Sequence, residues 1–544
     1  MNDPPVTSRG PPTAHTLGAF HYRIFAVIWT ATVVSNIGTW MYNVASGWLM
    51  LSLNPDPFVV SMVQVANALP MFLFALPAGA LVDIVDQRRF LIAGESAITI
   101  TSTGFAALVW LHLIGPRSLL ILSFIVAAGS AITAPAWQAV VTQLVPKAEL
   151  ASAVAANSVG INVSRAVGPA LGGMVVAALG LAAPFWLDAF SNIGVIAALI
   201  WWRPTRKRIL QLPAQSFGNA VRTGVRHARH NAHLAATLVR TVGFFVFASA
   251  YWALLPLVAR DQIAGGPAIY GVLLAAIGAS AVGGALFLKR LKSRLGSDRL
   301  LAAATVATAV AMGSFAAARV PATAIVASLI AGASWITAVS SLNVSAQVAL
   351  PDWVRGRGLA MYVTMMFGAL TIGSAIWGEL AAIVGLRAAL CTAAVGAIVA
   401  IPLTWRWKLQ TGANVDFSPS MHWPEPITVH AVEPDRGPVL VTIEYRIDPV
   451  NRKSFLYALQ RYSRERRRDG AYDCGIFEDA AVEGRFIETF YVDSWLEHLR
   501  QHQRVTKSDR VLEEVVRRFE IGGGPKTTHL ISARNSDLPI RLDK

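Results

Sequence analysis

The first 405 residues or so read as about twelve long apolar segments, and the second six repeat the first six at an offset of 205. Gly79-Ala80-Leu81 recurs as Gly284-Ala285-Leu286, Gly38 as Gly243, Pro146 as Pro351, Gly168 as Gly373 and Gly173 as Gly378. Isolated glycine matches are common, but these fall at corresponding points of the same succession of segments. A parallel six-plus-six repeat is an architecture of membrane carriers, so the pattern implies a carrier rather than a membrane-anchored enzyme.

A mean hydropathy of +0.49, with 54% hydrophobic and only 15% charged residues, excludes a soluble globular protein, whose surface needs far more charge. Each apolar run is long enough to cross roughly 30 Å of hydrocarbon at about 1.5 Å per residue. The spans are expected at 24–51, 58–82, 90–113, 118–141, 151–180, 183–202, 236–259, 268–288, 299–317, 321–349, 358–384 and 388–405. The expected domains are an N-terminal segment 1–23, a first six-helix half 24–203, a basic linker 204–235, a second half 236–405, a second linker 406–436 and a soluble domain 437–544. The polar, Pro-rich first twenty residues lack the short apolar core of a removable signal peptide, so the first span is the expected insertion signal. With only Cys391 and Cys474, no disulfide framework is expected.

Charge predicts orientation. Arg9, Arg23, Arg88, Arg89, Lys147, Arg203, Arg206, Lys207, Arg208, Lys289, Arg290, Lys292, Arg294, Arg355 and Arg357 fall before the first span or in alternate connections. The opposite connections carry only Arg117, Arg260, Arg319 and Arg387, which puts both termini in the cytoplasm of a multi-pass inner-membrane protein. The net charge of +15 is then a signal of topology and of contact with anionic lipid, with no nucleic acid partner. In the stretch 217 to 240, Phe217, Val221 and Val225 recur beside Arg222, Arg226 and Arg229, as in an interfacial helix joining two halves.

Two motifs stand out. Gly79-Ala-Leu-Val-Asp83-Ile-Val-Asp86-Gln-Arg88-Arg89 lies at the junction of spans 2 and 3, where Gly79 would let helices approach and Asp83 could pair with arginines across a short turn. Such a contact would serve as a gate latch; ordinary helix packing with topological charge is the other reading. Span 5 carries Asn162-Val-Ser-Arg165-Ala-Val-Gly168-Pro169-Ala-Leu-Gly172-Gly173, whose small residues give close backbone contact and whose proline removes a helix hydrogen bond.

The first motif resembles the cytoplasmic signature of the major facilitator superfamily, with Asp86 where that pattern has glycine and Ile84 where it often has a basic residue. The second half keeps Gly284 and a basic run from Lys289 to Arg294 but has Leu288 at the aspartate's position. The span 5 sequence resembles the superfamily's exporter motif, and with Asn162, Arg165 and the first span SNIGTWMYNVASGWLM it resembles the enterobactin exporter and related transmembrane secretion effectors. That resemblance covers the membrane part and implies export.

Arg165 would cost about 2.5 to 3.5 kcal/mol if unpaired at the bilayer centre, so a partner or water is expected. Asp188, Glu95 and Glu379 are the candidate partners, and if protons drive transport one of them changes protonation in the cycle; a static ion pair is the alternative. The substrate cavity is expected between the halves near the midplane. Its candidate lining is Asn36, Asn43, Gln64, Asn67, Gln138, Asn162, Asn343 and Gln347, with Trp40, Trp137 and Trp335 as aromatic surfaces. Taken singly, each is better read as an interhelical hydrogen-bonding or packing residue, but together they point to an amphipathic ligand rather than a sugar or an ion.

After Trp405 the composition changes. GPVLVTIEYRI reads as a strand, 449–468 as a helix, YDCGIFED and GRFIETFYVD as a hairpin, 494–519 as helical and 528–533 as a final strand, a ferredoxin-like order. The tail resembles antibiotic biosynthesis monooxygenase and related dimeric α+β modules, which implies a homodimer paired through the sheets. Trp495, His498 and His502 share one helical stretch; the i, i+4 histidines could hold a metal or act as a base, but no third ligand is evident and a structural or regulatory use is preferred. No flavin, nucleotide or P-loop pattern is present, so no cofactor and no ATP-driven pump are expected. The reading is a polytopic all-α membrane protein with a small α+β domain. It is expected to function as a proton-coupled secondary exporter of a siderophore-like or drug-like molecule and not as an enzyme. The alternatives are an importer and a bifunctional protein whose tail modifies a compound.

Overall fold

The computed structural model describes residues 18–82, 85–203, 231–351, 354–410, 420, 423, 432–433 and 436–533. Among these, eleven helices are long and apolar enough to cross a membrane. They are α1 (Arg23–Leu53), α2 (Pro57–Val82), α3 (Gln87–Trp110), α4 (Pro116–Leu144), α5 (Leu150–Leu179), α6 (Ala183–Trp201), α7 (Ala232–Leu257), α8 (Pro267–Ala317), α9 (Pro321–Val348), α10 (Arg355–Val384) and α11 (Leu386–Thr404). The two segments expected at 268–288 and 299–317 are two helical stretches of α8 that meet at a kink, where Gly296 leaves helical geometry (φ 74°, ψ 166°). At about 1.5 Å per residue α8 is more than twice as long as a hydrocarbon core is thick. Only glycine tolerates that backbone conformation without strain.

The chain divides into two compact units. One comprises 1–214, 239–342 and 363–407, and the other 215–238, 343–362 and 408–544.

Within the first unit the internal repeat is visible as matched helix contacts. Gly38 of α1 lies against α6, where an added Cβ would stand 3.1 Å from the Asp188 Cα, and Gly243 of α7 lies against Thr404 of α11. Gly168 of α5 meets α1 at Trp40, and Gly373 of α10 meets α7 at Val246 and Ser249. Gly173 of α5 meets α8, its Cβ position 2.6 Å from the Pro267 carbonyl oxygen and 3.0 Å from the Gly271 Cα, while Gly378 of α10 meets Ser61 of α2. Each repeat therefore grips its own first helix with one glycine and crosses to the other repeat with a second.

The α5–α8 seam is backbone on backbone. A Cβ on Gly271 would stand 2.5 Å from the Pro169 carbonyl oxygen, and Gly278 lies directly over the Arg165 carbonyl. Proline at 169 cannot donate to the carbonyl four residues back, which is that of Arg165. The carbonyl freed by the proline thus faces Gly278, which has no side chain to obstruct it.

The second unit holds the first turns of α7, the end of α9, the start of α10 and the C-terminal sheet domain. Asn231 donates to the Ala349 carbonyl at 2.8 Å and Thr237 shares a 2.8 Å hydrogen bond with Ser345. The sheet domain runs β1 (Val439–Arg446), α12 (Arg452–Arg468), β2 (Tyr472–Glu478), β3 (Arg485–Val492), α13 (Trp495–Arg504), α14 (Lys507–Arg517) and β4 (Lys526–Ile531). The strand order is β2-β3-β1-β4, antiparallel throughout, with Val441 opposite both Phe490 and His529. Alternation places Val439, Val441, Ile443, Tyr445, Phe486, Phe490 and Val492 on one face, in a core with Phe455, Leu459, Tyr462 and Val516.

The single helical stretch expected at 494–519 is two helices. Thr506 begins α14 with a capping box, its N–H donating to Asp509 Oδ2 at 2.9 Å while its hydroxyl accepts from the Asp509 N–H at 3.3 Å. The T-x-x-D signature was present in the sequence.

Gly271→Val should lower the melting temperature in detergent, because the added methyls have only backbone to meet. Gly79→Ala should leave it unchanged or raise it, since nothing lies within 4 Å of a Cβ there and removing a helical glycine gains about 0.5–1 kcal/mol. Equal melting of the two variants would contradict the seam.

Candidate functional site

The motif between α2 and α3 differs in detail from its expected geometry. Asp83 lies outside the described residues, and Gly79 makes no close helix contact. Asp86, standing where the family pattern has glycine, is the N-cap of α3, accepting from the Arg89 N–H at 3.0 Å. Arg88 reaches across to α6, donating to the carbonyls of Leu199 (2.8 Å) and Ile200 (2.7 Å). Those are carbonyls of the last helical turn, which a cation satisfies both by hydrogen bonding and through the helix dipole. Arg89 is exposed.

The expected Arg165–Asp188 pair does not form. Asp188 is 2% exposed on α6 and is held by hydroxyls, accepting from Ser102 of α3 at 3.0 Å and Thr39 of α1 at 3.3 Å. One turn further, Asn192 accepts from Ser35 at 2.6 Å, and Tyr42 donates to Ser123 at 3.2 Å within a ring cluster with Phe105 and Phe185. Glu95 of α3 is also buried and accepts from Trp137 Nε1 at 2.8 Å. Asp188 and Glu95 therefore share the first repeat with no cation bound to either among the described residues. Glu379 is exposed on α10 and joins neither.

Arg165 turns instead toward the other repeat. Its guanidinium lies 5.8 Å from the Trp40 ring centroid, within electrostatic reach of Tyr251 on α7, and its Nε is buried without a hydrogen-bond partner. The Tyr251 hydroxyl and the Trp252 Nε1 are likewise buried and unpartnered. Trp252 packs edge-on against Trp335 at 5.3 Å, and Trp335 against Phe245 at 5.1 Å. Arg165 over Trp40, and Tyr251 and Trp252 beside Trp335 and Phe245, are thus buried donors without an acceptor among the described residues. Tyr251 and Trp252 escaped the sequence reading because each is an ordinary residue of an apolar span; only the chain's return in the second repeat brings them to Arg165.

The amides divide. Asn36, Trp40 and Asn43 lie on one face of α1 by helical spacing, as do Gln64 and Asn67 on α2. These four amides are half-buried and make no hydrogen bond among the described residues. Asn162 is consumed locally, donating to the Ser158 carbonyl at 2.8 Å, and Gln138 is exposed. Gln347 donates to Asn343 at 3.1 Å, both in the second unit.

One largely buried charge pair was missed. Arg240, expected at the end of an interfacial basic stretch, is 3% exposed on α7 and pairs with Asp298 of α8 at 2.7 Å, its guanidinium 5.5 Å from the Trp405 ring. The physical reason is that α7 already begins at Ala232, which carries Arg240 two turns into the helix and buries it.

In the sheet domain a third histidine joins the two from α13. His529 of β4 lies with His498 and His502 so that their ring nitrogens are all within 4.8 Å of one another. Burial, with the neighbouring rings, holds His498 down to about 3 and His502 to about 4, and burial also lowers His529. All three are neutral at pH 7.

The duplicated helices and their glycine seams define a membrane transporter of major facilitator type. The chain belongs to the transmembrane secretion effector family, whose model matches residues 14–537 and so runs through the sheet domain. It is 22% identical over 242 residues to the staphyloferrin A transporter of Staphylococcus aureus, covering 44% of this chain and 60% of that one. It is 26% identical over 253 residues to macrolide efflux protein A of Streptococcus pyogenes, covering 45% and 60%. It is also 26% identical over 178 residues to the multidrug efflux pump Tap of Mycobacterium tuberculosis, covering 31% and 42%. These matches span at most 60% of the curated relatives' length. The nucleoside transporter NupG shares the fold at a TM-score of 0.61 and 10% identity, covering 71% of this chain and 99% of that one. A POT family transporter does so at 0.58 and 12%, covering 71% and 96%.

The histidine cluster generates a pH prediction. Each ring binds a proton more weakly folded than unfolded, where the value is near 6.5, so the unfolded chain takes up protons first as pH falls. Arg466, paired with Glu488 at 3.2 Å, is the further cation that disfavours a charged His498. Stability of the sheet domain should therefore be fully present above pH 6.5 and fall between there and about pH 3. Calorimetry of the chelator-treated chain should show this loss, and His498→Gln should flatten it.

Proposed function

We propose that the protein is a proton-coupled secondary exporter of an amphipathic small molecule, working by alternating access of two six-helix halves. The observation that carries this reading is the group of unpartnered donors, Arg165, Tyr251 and Trp252, set against an aromatic wall where one repeat meets the other. A ligand with an apolar body and an anionic or carbonyl oxygen would supply the missing acceptor and cover the rings. The amide stripes of α1 and α2 would take its remaining polar groups. The relatives named for staphyloferrin A and macrolides support a siderophore-like or drug-like substrate, as does the likeness of span 5 to the enterobactin exporter.

In this reading α8 contributes two spans hinged at Gly296, for twelve in all. Both termini lie on the cytoplasmic side of a bacterial inner membrane, with the domain boundaries drawn from the sequence. Asp188 is the coupling carboxylate, because its partners are neutral hydroxyls that can serve it charged or protonated, whereas a permanent cation would hold it ionised. Asp83 latches the gate through Arg89, Arg88 being occupied as the cap of α6. The tail, monooxygenase-like in its order of elements, is accessory to transport, and two chains pair through its outer sheet face, where Leu440, Ile487, Tyr491 and Leu530 alternate with the core positions.

Transport of catecholate siderophores, macrolides and lipophilic dyes into inverted vesicles, with and without a proton gradient, tests the proposal. The wild type should accumulate at least one compound only with the gradient. Asp188→Asn should abolish that accumulation while substrate exchange persists, and Arg165→Ala should raise the KM by about 10- to 100-fold, as loss of a charged hydrogen bond does. Gradient-independent uptake by the wild type, or full coupling in Asp188→Asn, would count against it. Truncation after residue 425 should leave transport intact; loss of chemical turnover with transport preserved would favour the bifunctional reading.

A further inference from the structure

The sheet domain contains a cluster that transport does not use. Helix α13 presents His498 and His502 one turn apart, and β4 presents His529 from the face that the helices cover, opposite Val441 of β1. The Nε2 atoms of His498 and His502 are 3.3 Å apart. A tetrahedral metal with ligand bonds of about 2.0–2.1 Å separates two nitrogens by about 3.3–3.4 Å, so the pair already has the bite of such a site. His529 completes a triad whose nitrogens lie within 4.8 Å.

Hydrogen bonding inside the cluster is not closed. Two neutral imidazoles share one N–H···N bond, and His498 Nδ1 is left buried without a partner, as are both amide atoms of Gln501 in the same helix. Trp495 packs on His498 and His529 at 5.5 and 6.1 Å, and Trp423 on His502 at 5.2 Å, so the triad is walled by rings. The nearest cation, Arg466, is neutralised by Glu488, which is fully buried and also accepts from Tyr445 (3.1 Å) and Ser463 (2.6 Å).

We propose that His498, His502 and His529 bind one first-row divalent cation of the zinc, cobalt, nickel or copper type, clamping α13 to β4. Three neutral imidazoles with no carboxylate suit these borderline metals and not magnesium or calcium, which require oxygen ligands. Because burial keeps the rings neutral at pH 7, binding there displaces no proton from them. The fourth position falls to water or a small anion.

The test uses the untagged full-length chain in detergent, stripped with chelator and titrated with Co2+ and Zn2+. One metal should bind per chain, Co2+ should give the intense visible absorption of a tetrahedral site, and the sheet domain should melt at higher temperature. His529→Ala, at a half-exposed position of the edge strand, should weaken binding by more than about 100-fold, beyond the effect of losing an outer-sphere contact, with unchanged circular dichroism. His21→Ala should bind as the wild type does. X-ray absorption of the Zn-loaded wild type should show three imidazoles, a readout independent of any variant's folding. Fewer than three imidazoles, no stoichiometric binding, or unchanged affinity in a folded His529→Ala chain would overturn the proposal.

Discussion

Helices in lipid gain nothing from leaving water, so they hold together only where their surfaces approach closely enough for dispersion and weak polar contacts to act. In this protein that requirement is met by the α5–α8 seam. Gly173 and Gly271 bring the two backbones into contact, and Gly278 receives the carbonyl that Pro169 has released from its helix. A single methyl at either Gly173 or Gly271 would push two repeats apart. The counterpart at Gly378 and Ser61 closes the other side, and the space between the repeats is defined by these two seams. A joint made of backbone also has few interlocked side chains.

The buried charges are arranged unequally around that joint. Arg240 and Asp298 neutralise each other within the second repeat, where Arg240 is buried. Asp188 and Glu95 in the first repeat have only neutral donors. Arg165 has an aromatic ring and an unpartnered Nε. The pair is a fixed structural contact; the unmatched groups are where protonation or a ligand can change the energy of the structure.

The sheet domain handles charge differently. It buries ion pairs in clusters, with Arg466 on Glu488 and Arg468 shared between Asp469 and Asp509 at 2.9 and 2.8 Å. Among the described residues, the histidine triad with Gln501 beside it is left neutral with unmet hydrogen-bonding capacity. Since the family's match runs through this domain, it is an integral part of the chain's lineage and not an unrelated appendage.

Much of this was legible in the residues. Span length, the repeat and the order of the four strands follow from periodicity, which reports local structure directly, although the last helical stretch is two helices. The offset of 205 named Gly173 and Gly378, one glycine of each seam, but not Gly271 or Gly278. Other features were not legible, because they depend on which residues meet across hundreds of positions. Spacing could pair Arg165 with Asp188 as easily as leave them apart, and nothing in an isolated His-Leu predicted that β4 would carry its histidine to α13. Gly79 shows the converse, a glycine of the right motif that touches nothing here. What the sequence alone determined is the inventory: spans, seams and the charges that need company in lipid, since hydrophobicity and backbone chemistry act residue by residue. What only the tertiary structure decided is the pairing, because hydrogen bonds and electrostatics fall off over a few ångströms and act between whatever residues the fold brings together.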